Sequence, residues 1–440
     1  MSMSSDRFAH PPTGGNTRLP SEADVVIVGG GIIGLMTAWH LARAGERVVL
    51  LEKGRIAREQ SGLNLGYCRS IGRKDPEIPL LRRSIELWSH LQKTIGHDLG
   101  FRNPGLIALA ASRREEDDLA AWRDTARRRQ HHVAQLDSDA IAARLPHLAT
   151  RYQSALFASD EGWAEPQRAA PAIAQALLET SATIVENCPA RALIMDKNAV
   201  RGVRTPRGAV HATRVLIAAG AWSTTLAERH GITLYQLSVR GSAARLADDA
   251  PRVTDIPIVS DAYYLRPCVG GGFAFGRAGT PIVPVTRNVL RWMPRFRAHI
   301  WQNRSRLKPQ ITAETWHSFT APRTWPDDAL APFEGVTLRG APVDHRTLAR
   351  AHAAILRDFP ALAETPIVET WSGTIDVTPD ALPIIDALPD HLGLFLATGF
   401  SGHGFGIAPA AGELTADLLR GAAPGIDPAP FSMTRFNAKP

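Results

Sequence analysis

Residues 24 to 52 confine this chain to very few architectures. Val25 to Val28 is a short β-branched run of the kind that forms a strand buried on both faces. Gly29, Gly31 and Gly34 follow at GxGxxG spacing, and Leu35, Ala38, Leu41 and Ala42 then recur with a helical period. Gly45 ends that helix, and Val48 to Leu51 is a second strand closed by Glu52. The first glycine makes the tight turn, the second lets backbone approach a pyrophosphate, and the third lets helix and strand pack closely. The helix N-terminus offers free N–H groups and a partial positive charge to a diphosphate, with Ile32 at its first turn. Glu52 can accept hydrogen bonds from both ribose hydroxyls, with Lys53 beside it. A lone GxGxxG also describes ordinary Gly-rich turns, but strand, helix, strand and terminal acid together specify a dinucleotide site. An acid at Glu52 repels a 2′-phosphate, which argues against NADP and leaves NAD or FAD.

At 440 residues the chain has length for roughly two to three domains. Its 44% hydrophobic and 21% charged residues describe a globular protein with ample core. No apolar run reaches the ~20 residues needed to span a bilayer. The first 20 residues lack an apolar signal core and read as a disordered tail. Cys68, Cys188 and Cys268 are widely spaced and form no metal or redox pattern, so a reducing cytoplasm is the expected home and no metal is expected. The net charge of +7 is spread and mixed with acids, as in Arg113-Arg114-Glu115-Glu116-Asp117-Asp118. Without an aromatic-interleaved basic module, nucleic acid is not an expected partner.

After Lys53 comes a Gly-, Ser- and Asn-containing loop through Ser61, Asn64, Leu65, Gly66 and Arg69. Loops leaving the strand ends of a doubly wound sheet lie over the ligand crevice, so this loop is placed to touch cofactor; the alternative is a plain surface loop. Helices are expected over 79–95, 113–132, 137–145 and 168–179. Strands are expected over 155–158, 183–185, 190–194, 200–204 and 209–212. Arg214 to Ile217 is another buried strand, running into Ala218-Ala219-Gly220-Ala221-Trp222, where backbone must approach something closely. From about 226 to 365 the pattern changes to antiparallel strands at 238–247, 256–265 and 272–277. The segment Arg287 to Lys308 mixes Arg291, Arg295, Arg297, Arg304 and Arg306 with Leu290, Trp292, Phe296, Ile300 and Trp301. It is a candidate for contact with a membrane surface or protein partner. The plainer reading, favoured here, is a helix whose aromatic stripe packs on its own domain. A helix over 347–359 follows.

Near the C-terminus, Trp371-Ser372-Gly373-Thr374-Ile375-Asp376-Val377-Thr378-Pro379-Asp380 precedes the strand Leu394 to Thr398. That strand breaks into Gly399-Phe400-Ser401-Gly402-His403-Gly404-Phe405-Gly406, and an Ala-rich helix runs from Ala408 to Leu419. A second helix N-terminus of this kind can stabilise negative charge on a reduced ring system.

Together the N-terminal motif, the Ser61–Gly66 loop, the Ile217–Ser223 strand, the Thr378-Pro379-Asp380 turn and the Gly-Phe-Ser-Gly-His-Gly-Phe box resemble the D-amino-acid-oxidase-like FAD-dependent oxidoreductases, in the right order from residue 24 to about 420. The resemblance implies an α/β fold with a Rossmann-like FAD-binding domain (21–75, 155–225 and 366–425). It also implies a noncontiguous α+β substrate domain (76–154 and 226–365) built on an antiparallel sheet. It implies oxidation of a C–N bond in an amino acid or N-substituted amino acid, opine- or iminodiacid-like, by hydride transfer to flavin followed by imine hydrolysis. Gly29, Gly31, Ile32, Gly34, Glu52 and Lys53 would then hold the adenosine diphosphate portion. Ser61, Asn64, Leu65 and Gly66 would contact the diphosphate-to-ring region. Ala190 would meet the adenine, Ala219, Gly220 and Trp222 would line the cofactor, and Gly373, Gly402, His403 and Gly404 would face the ring. Arg69, Tyr264, Asp376 and His403 are the candidates for contacting substrate, His403 being alternatively only a backbone position.

The departures bear on substrate. Sarcosine-oxidising members carry a cysteine bonded to FAD where Gly373 stands, so noncovalent FAD is expected. Glycine-oxidising members carry a carboxylate-pairing arginine where Ile375 stands. Ala274 and Gly406 fall where the sarcosine enzymes have lysines, one of which activates oxygen. A carboxylate substrate therefore needs another fork-shaped donor, for which Arg69, Arg73 and Arg266 are candidates. Asp376 attracts a cationic amine or caps a turn. The electron acceptor is oxygen or a quinone or protein acceptor. The rival readings are a flavin-binding assembly or scaffold protein without turnover, and a tRNA-modifying flavoenzyme, which would want a contiguous basic surface that the sequence does not show.

Overall fold

The computed structural model describes residues 18–277, 281–304, 306–338 and 340–437. Most of the N-terminal tail expected over 1–20 lies outside them. Val25–Val28 occupies the middle of a six-stranded sheet, hydrogen-bonded in parallel to Val48–Leu51 on one side and Arg214–Ile217 on the other. The strand order is Ile384–Ala387, Leu394–Thr398, Arg214–Ile217, Val25–Val28, Val48–Leu51, Thr183–Val185, and only Ile384–Ala387 runs antiparallel to its neighbour. Every residue of the two N-terminal strands is buried, so both faces need cover. The helices Ile32–Arg43, Pro166–Leu178 and Gly404–Arg420 cover one face. A three-stranded antiparallel sheet over Ala192–His211 helps cover the other. Three adjacent strands therefore end side by side, in the turns beginning at Gly29, Ala218 and Gly399. That is the edge where an open α/β sheet binds ligand.

The second large sheet has ten strands, most of them antiparallel. Two strands grouped above with the FAD-binding segments hydrogen-bond here instead. Ser154–Ala158 pairs with Leu106–Ala110, and Ile367–Val377 pairs along its length with Leu237–Leu246. The latter was not legible as a strand because its buried side chains include Ser372, Thr374 and Asp376, which invert the usual apolar-in pattern. The stretch 256–265 likewise divides into Ile258–Val259 and Tyr264–Pro267, which pair as a hairpin.

Arg287–Asn303 is one helix, and it has two characters. Phe296 is buried and Trp292 meets Tyr235 edge-on at 4.9 Å between ring centres, so an aromatic stripe does pack inward. Its other face leaves Leu290, Met293 and Trp301 exposed, beside Trp316 and Phe319 of the helix Ala313–Thr320. Among the described residues no helix is long and apolar enough to cross a membrane.

The C-terminal helix is fixed where it begins. Trp88, on the amphipathic helix Glu77–Ile95, is fully buried and stacks on Phe101 and Phe405 with ring centres 6.1 and 5.7 Å away. Its indole N–H donates to the Gly406 carbonyl at 3.0 Å, so one side chain anchors the first turn of the helix that faces the crevice. Trp88→Ala is expected to cost about 3–5 kcal/mol. Trp88→Phe keeps a ring but loses the hydrogen bond, at about 1 kcal/mol. Urea unfolding midpoints of the two variants check the order.

Candidate active site

A cavity of about 570 Å³ runs between the C-terminal ends of the parallel strands and the antiparallel sheet. At one end it is bordered by Gly29, Gly31 and Ile32. Gly31 caps the first helix without a side-chain hydrogen bond, which leaves the helix N-terminus facing the space. A Cβ there would lie 3.2 Å from Ser61 Oγ and fill the gap over the helix. Ser61 Oγ itself accepts from the Ile32 N–H at 2.9 Å, which holds the loop across the motif. Glu52 is buried, and its carboxylate accepts from the Gly30 and Gly54 N–H groups at 2.8 and 2.7 Å. Burial pushes this carboxyl up, against the two backbone donors. Lys53 also borders the cavity but is engaged, donating to the Val336 carbonyl at 2.7 Å and to Glu59 at 3.2 Å. Ala190, Ala219, Gly220 and Trp222 line the cavity too. A cradle without side chains over a helix N-terminus, beside an oriented acid, fits the diphosphate and ribose of FAD.

Gly34, as expected of the third glycine, and Gly66 pack against backbone rather than line the cavity. A Cβ on either would come within 2.0 Å of a carbonyl oxygen, of Gly29 and Ala164 respectively. Their contribution is close backbone packing. Asn64 and Leu65 do line the cavity, and Asn64 Oδ1 accepts from the Gly66 N–H at 2.7 Å.

Further along, Gly373, Gly402, His403 and Gly404 border the cavity, as do Arg69, Tyr264 and Asp376. Asp376 does not fit the expected attraction of a cationic amine. Its Oδ1 accepts from Gln60 at 2.8 Å, and its Oδ2 from Gln236 at 3.0 Å and the Gly399 N–H at 2.9 Å. A carboxylate so engaged holds structure together and has little capacity left for a substrate. Arg266 is likewise spent: buried, it forks onto Glu165 at 2.8 and 3.2 Å and lies over the Trp163 ring. Arg69 donates to the Ile71 carbonyl at 2.6 Å and to the Tyr264 hydroxyl at 3.0 Å, its guanidinium over the Tyr264 ring.

Two guanidiniums on the cavity wall retain free donors. The Arg73 guanidinium takes no hydrogen-bond or ion-pair partner among the described residues, and burial, with Arg69 adding to it, pushes its pKa down to about 9. Because a guanidinium stays charged in proteins, the physical content of that shift is a desolvated cation in want of an anion. Among the described residues Arg277 uses only Nε, donating to the Asp261 carbonyl at 3.2 Å. Both arginines border the cavity.

His403 Nδ1 lies 3.0 Å from Glu77 Oε1. Burial, then the nearby Arg73, hold this imidazole below its ordinary range. Burial works against Glu77, but His403 and Arg73 outweigh it and hold the carboxyl below its ordinary range. An ionised carboxylate only accepts, so a neutral His403 must donate from Nδ1, which leaves Nε2 as an acceptor. The pairing makes His403 more than a backbone position. Arg277, Glu77, Gln60 and Gln236 were not anticipated. Arg277 alone had a sequence signal, following the small residue Gly276 at a strand end.

A family model described as FAD dependent oxidoreductase matches residues 24–418. The chain is 27% identical over 418 residues to a glycine oxidase of Pseudomonas putida, covering 93% of this chain and 97% of that one. It is 27% identical over 427 residues to an N-methyl-L-tryptophan oxidase of Citrobacter koseri, covering 94% and 99%. Among solved structures it resembles an L-amino acid deaminase from Proteus myxofaciens in complex with anthranilate, with a TM-score of 0.91 and 29% identity over 96% of this chain and 95% of that one.

Glu52→Ala is expected to weaken FAD binding at least about tenfold, the scale of losing hydrogen bonds to a charged acceptor. Titration of FAD into the stripped protein, followed by flavin fluorescence, checks this.

Proposed function

Because the chain belongs to the family of FAD dependent oxidoreductases, we propose that it oxidises the C–N bond of an α-amino acid, primary or N-substituted, with an apolar side chain. The observation that carries this reading is the pair of free guanidinium forks, Arg73 and Arg277, on the wall of the same cavity as the FAD cradle. A carboxylate would satisfy them in the bidentate geometry that arginine favours. Val239, Ile282, Val289, Phe296, Ile300 and Leu307 give that cavity an apolar wall suited to an apolar side chain. The second carboxylate of an opine finds less there, since Arg240 is paired with Glu314 at 2.7 Å.

When bound, FAD supplies the acceptor of the two electrons. The chain's own residues bind and orient. Arg69, braced on Tyr264, adds positive charge near the carboxylate site. The helix Gly404–Arg420 turns its N-terminus to the cavity with no acid in its first turn, which favours negative charge there. The unprotonated Nε2 of His403 can accept a hydrogen bond from the substrate amine, with Glu77 holding the ring. An amine that binds neutral needs no further base. No cysteine lines the cavity among the described residues, which supports noncovalent FAD.

The free cysteines Cys68, Cys188 and Cys268 suit a reducing cytoplasm. The exposed Trp301, Leu290 and Met293, with Arg297 among them, suit weak contact with an anionic surface. Co-sedimentation with phosphatidylglycerol vesicles and not with phosphatidylcholine vesicles is the expected outcome; equal behaviour with both would remove this contact.

Anaerobic bleaching of the visible flavin band by a panel of amino acids, N-alkyl amino acids and opines tests the main reading. Bleaching by apolar amino acids is expected, and admitting air then separates oxygen from a quinone or protein acceptor. A flavin bleached only by amines without a carboxylate would defeat the proposal. Arg73→Met and Arg277→Met are each expected to raise KM at least about tenfold, since loss of a buried charge partner costs at least 2 kcal/mol or so. Steady-state kinetics on the bleaching substrate check both variants.

A further inference from the structure

Behind the arginine-bearing turn lies a polar cluster that no step above uses. Ser70, His131 and Glu161 are all buried, at 0%, 3% and 0% exposure. Ser70 Oγ lies 2.8 Å from His131 Nε2 and donates to Glu161 Oε1 in a short hydrogen bond. Glu161 Oε1 also accepts from the Ser70 N–H at 2.7 Å and lies 3.3 Å from His131 Nε2. Its other oxygen, Oε2, has no hydrogen-bond partner among the described residues. Burying a carboxylate and an imidazole in this way is costly compared with apolar filling, which directs attention to what the cluster holds.

It holds the turn between Arg69 and Arg73. Ser70 stands next to Arg69, and its carbonyl accepts from the Arg73 N–H at 2.7 Å. The Arg73 carbonyl accepts from Trp122 Nε1 at 3.2 Å, and the Trp122 ring meets His131 edge-on at 6.2 Å. Glu161 is itself fixed, because the adjoining Gly162–Trp163 pairs with Tyr67–Cys68. Backbone at both ends of the turn is thus tied to one buried group outside the cavity, while the two guanidiniums project to the cavity wall.

We propose that Ser70, His131 and Glu161 form a buried strut that sets the position of Arg69 and Arg73, making the three positioning residues for the substrate carboxylate. This rests on the reading of Arg73 as a carboxylate donor. Misplacing a binding group by about an ångström is enough to cost a large part of its effect. The strut acts on carboxylate affinity rather than on the FAD cradle, which other segments build.

The test uses the flavin-loaded full chain with 2-aminobenzoate as the carboxylate probe, its Kd read from perturbation of the visible flavin band, and with KM and kcat for the bleaching substrate. Ser70→Ala and Glu161→Leu are expected to raise Kd and KM together by about tenfold, with kcat within about threefold and flavin content unchanged. Glu161→Gln, which keeps an acceptor for the Ser70 N–H, is expected to restore most of the affinity. Arg73→Met separates the two levels of the proposal. If Arg73→Met raises Kd while flavin-loaded Ser70→Ala and Glu161→Leu leave it unchanged, the strut is wrong and the carboxylate site stands. If Arg73→Met leaves Kd unchanged, or the probe does not perturb the native flavin, the reading of Arg73 as a carboxylate donor fails and the strut falls with it. A loss of flavin in Ser70→Ala, in parallel with kcat, would show a merely structural cluster and overturn the strut.

Discussion

One buried carboxylate joins the two sheets. Asp376 ends the long strand of the antiparallel sheet, yet its acceptors are filled by Gln60 from the loop that crosses the dinucleotide motif, by Gln236, and by the Gly399 N–H where a parallel strand ends. Gln236 also donates to the Gly220 carbonyl at 2.9 Å, and Gln60 accepts from the Ala221 N–H at 2.9 Å. Burial alone pushes the Asp376 carboxyl up, and the donors around it oppose that push. Such a group is tolerated only where its oxygens are met from several sides at once. That requirement ties loops far apart in sequence into one wall of the cavity.

The rest of the site follows from that joint. Gly-rich turns at three adjacent strand ends leave backbone N–H groups and a helix N-terminus on one side of the cavity. The antiparallel sheet and the helix Arg287–Asn303 close the other side with apolar and cationic side chains. In the proposed reading, a cofactor with an anionic middle and a planar end, and a substrate with a carboxylate, meet complementary surfaces in a single cavity. Within that reading each polar group answers one portion of what is bound: an acid for ribose hydroxyls, guanidiniums with donors to spare for the carboxylate, and a neutral imidazole for the amine.

The dinucleotide half was legible in the sequence because its chemistry is local. Strand, glycines, helix and Glu52 lie within a short stretch, and backbone geometry dictates each residue type. The Gly402–Gly404 turn and its helix were legible for the same reason, although the helix starts at Gly404, ahead of the Ala-rich run. The substrate half was not local. Arg73 and Arg266 look alike in sequence, and only tertiary pairing shows that Glu165 consumes one and leaves the other free. Asp376 looked available because Gln60 and Gln236, which fill it, are far away in the chain. The strand Ile367–Val377 escaped notice because it buries polar side chains, and the strut behind Arg69 and Arg73 assembles from three separate segments.

The most direct measurement is a crystal structure of the flavin-loaded protein with 2-aminobenzoate bound. FAD is expected along the Gly29–Glu52 cradle, with the carboxylate within about 3.2 Å of guanidinium nitrogens of Arg73 or Arg277. A carboxylate seated away from both arginines, with either guanidinium turned to solvent, would contradict the proposed carboxylate site.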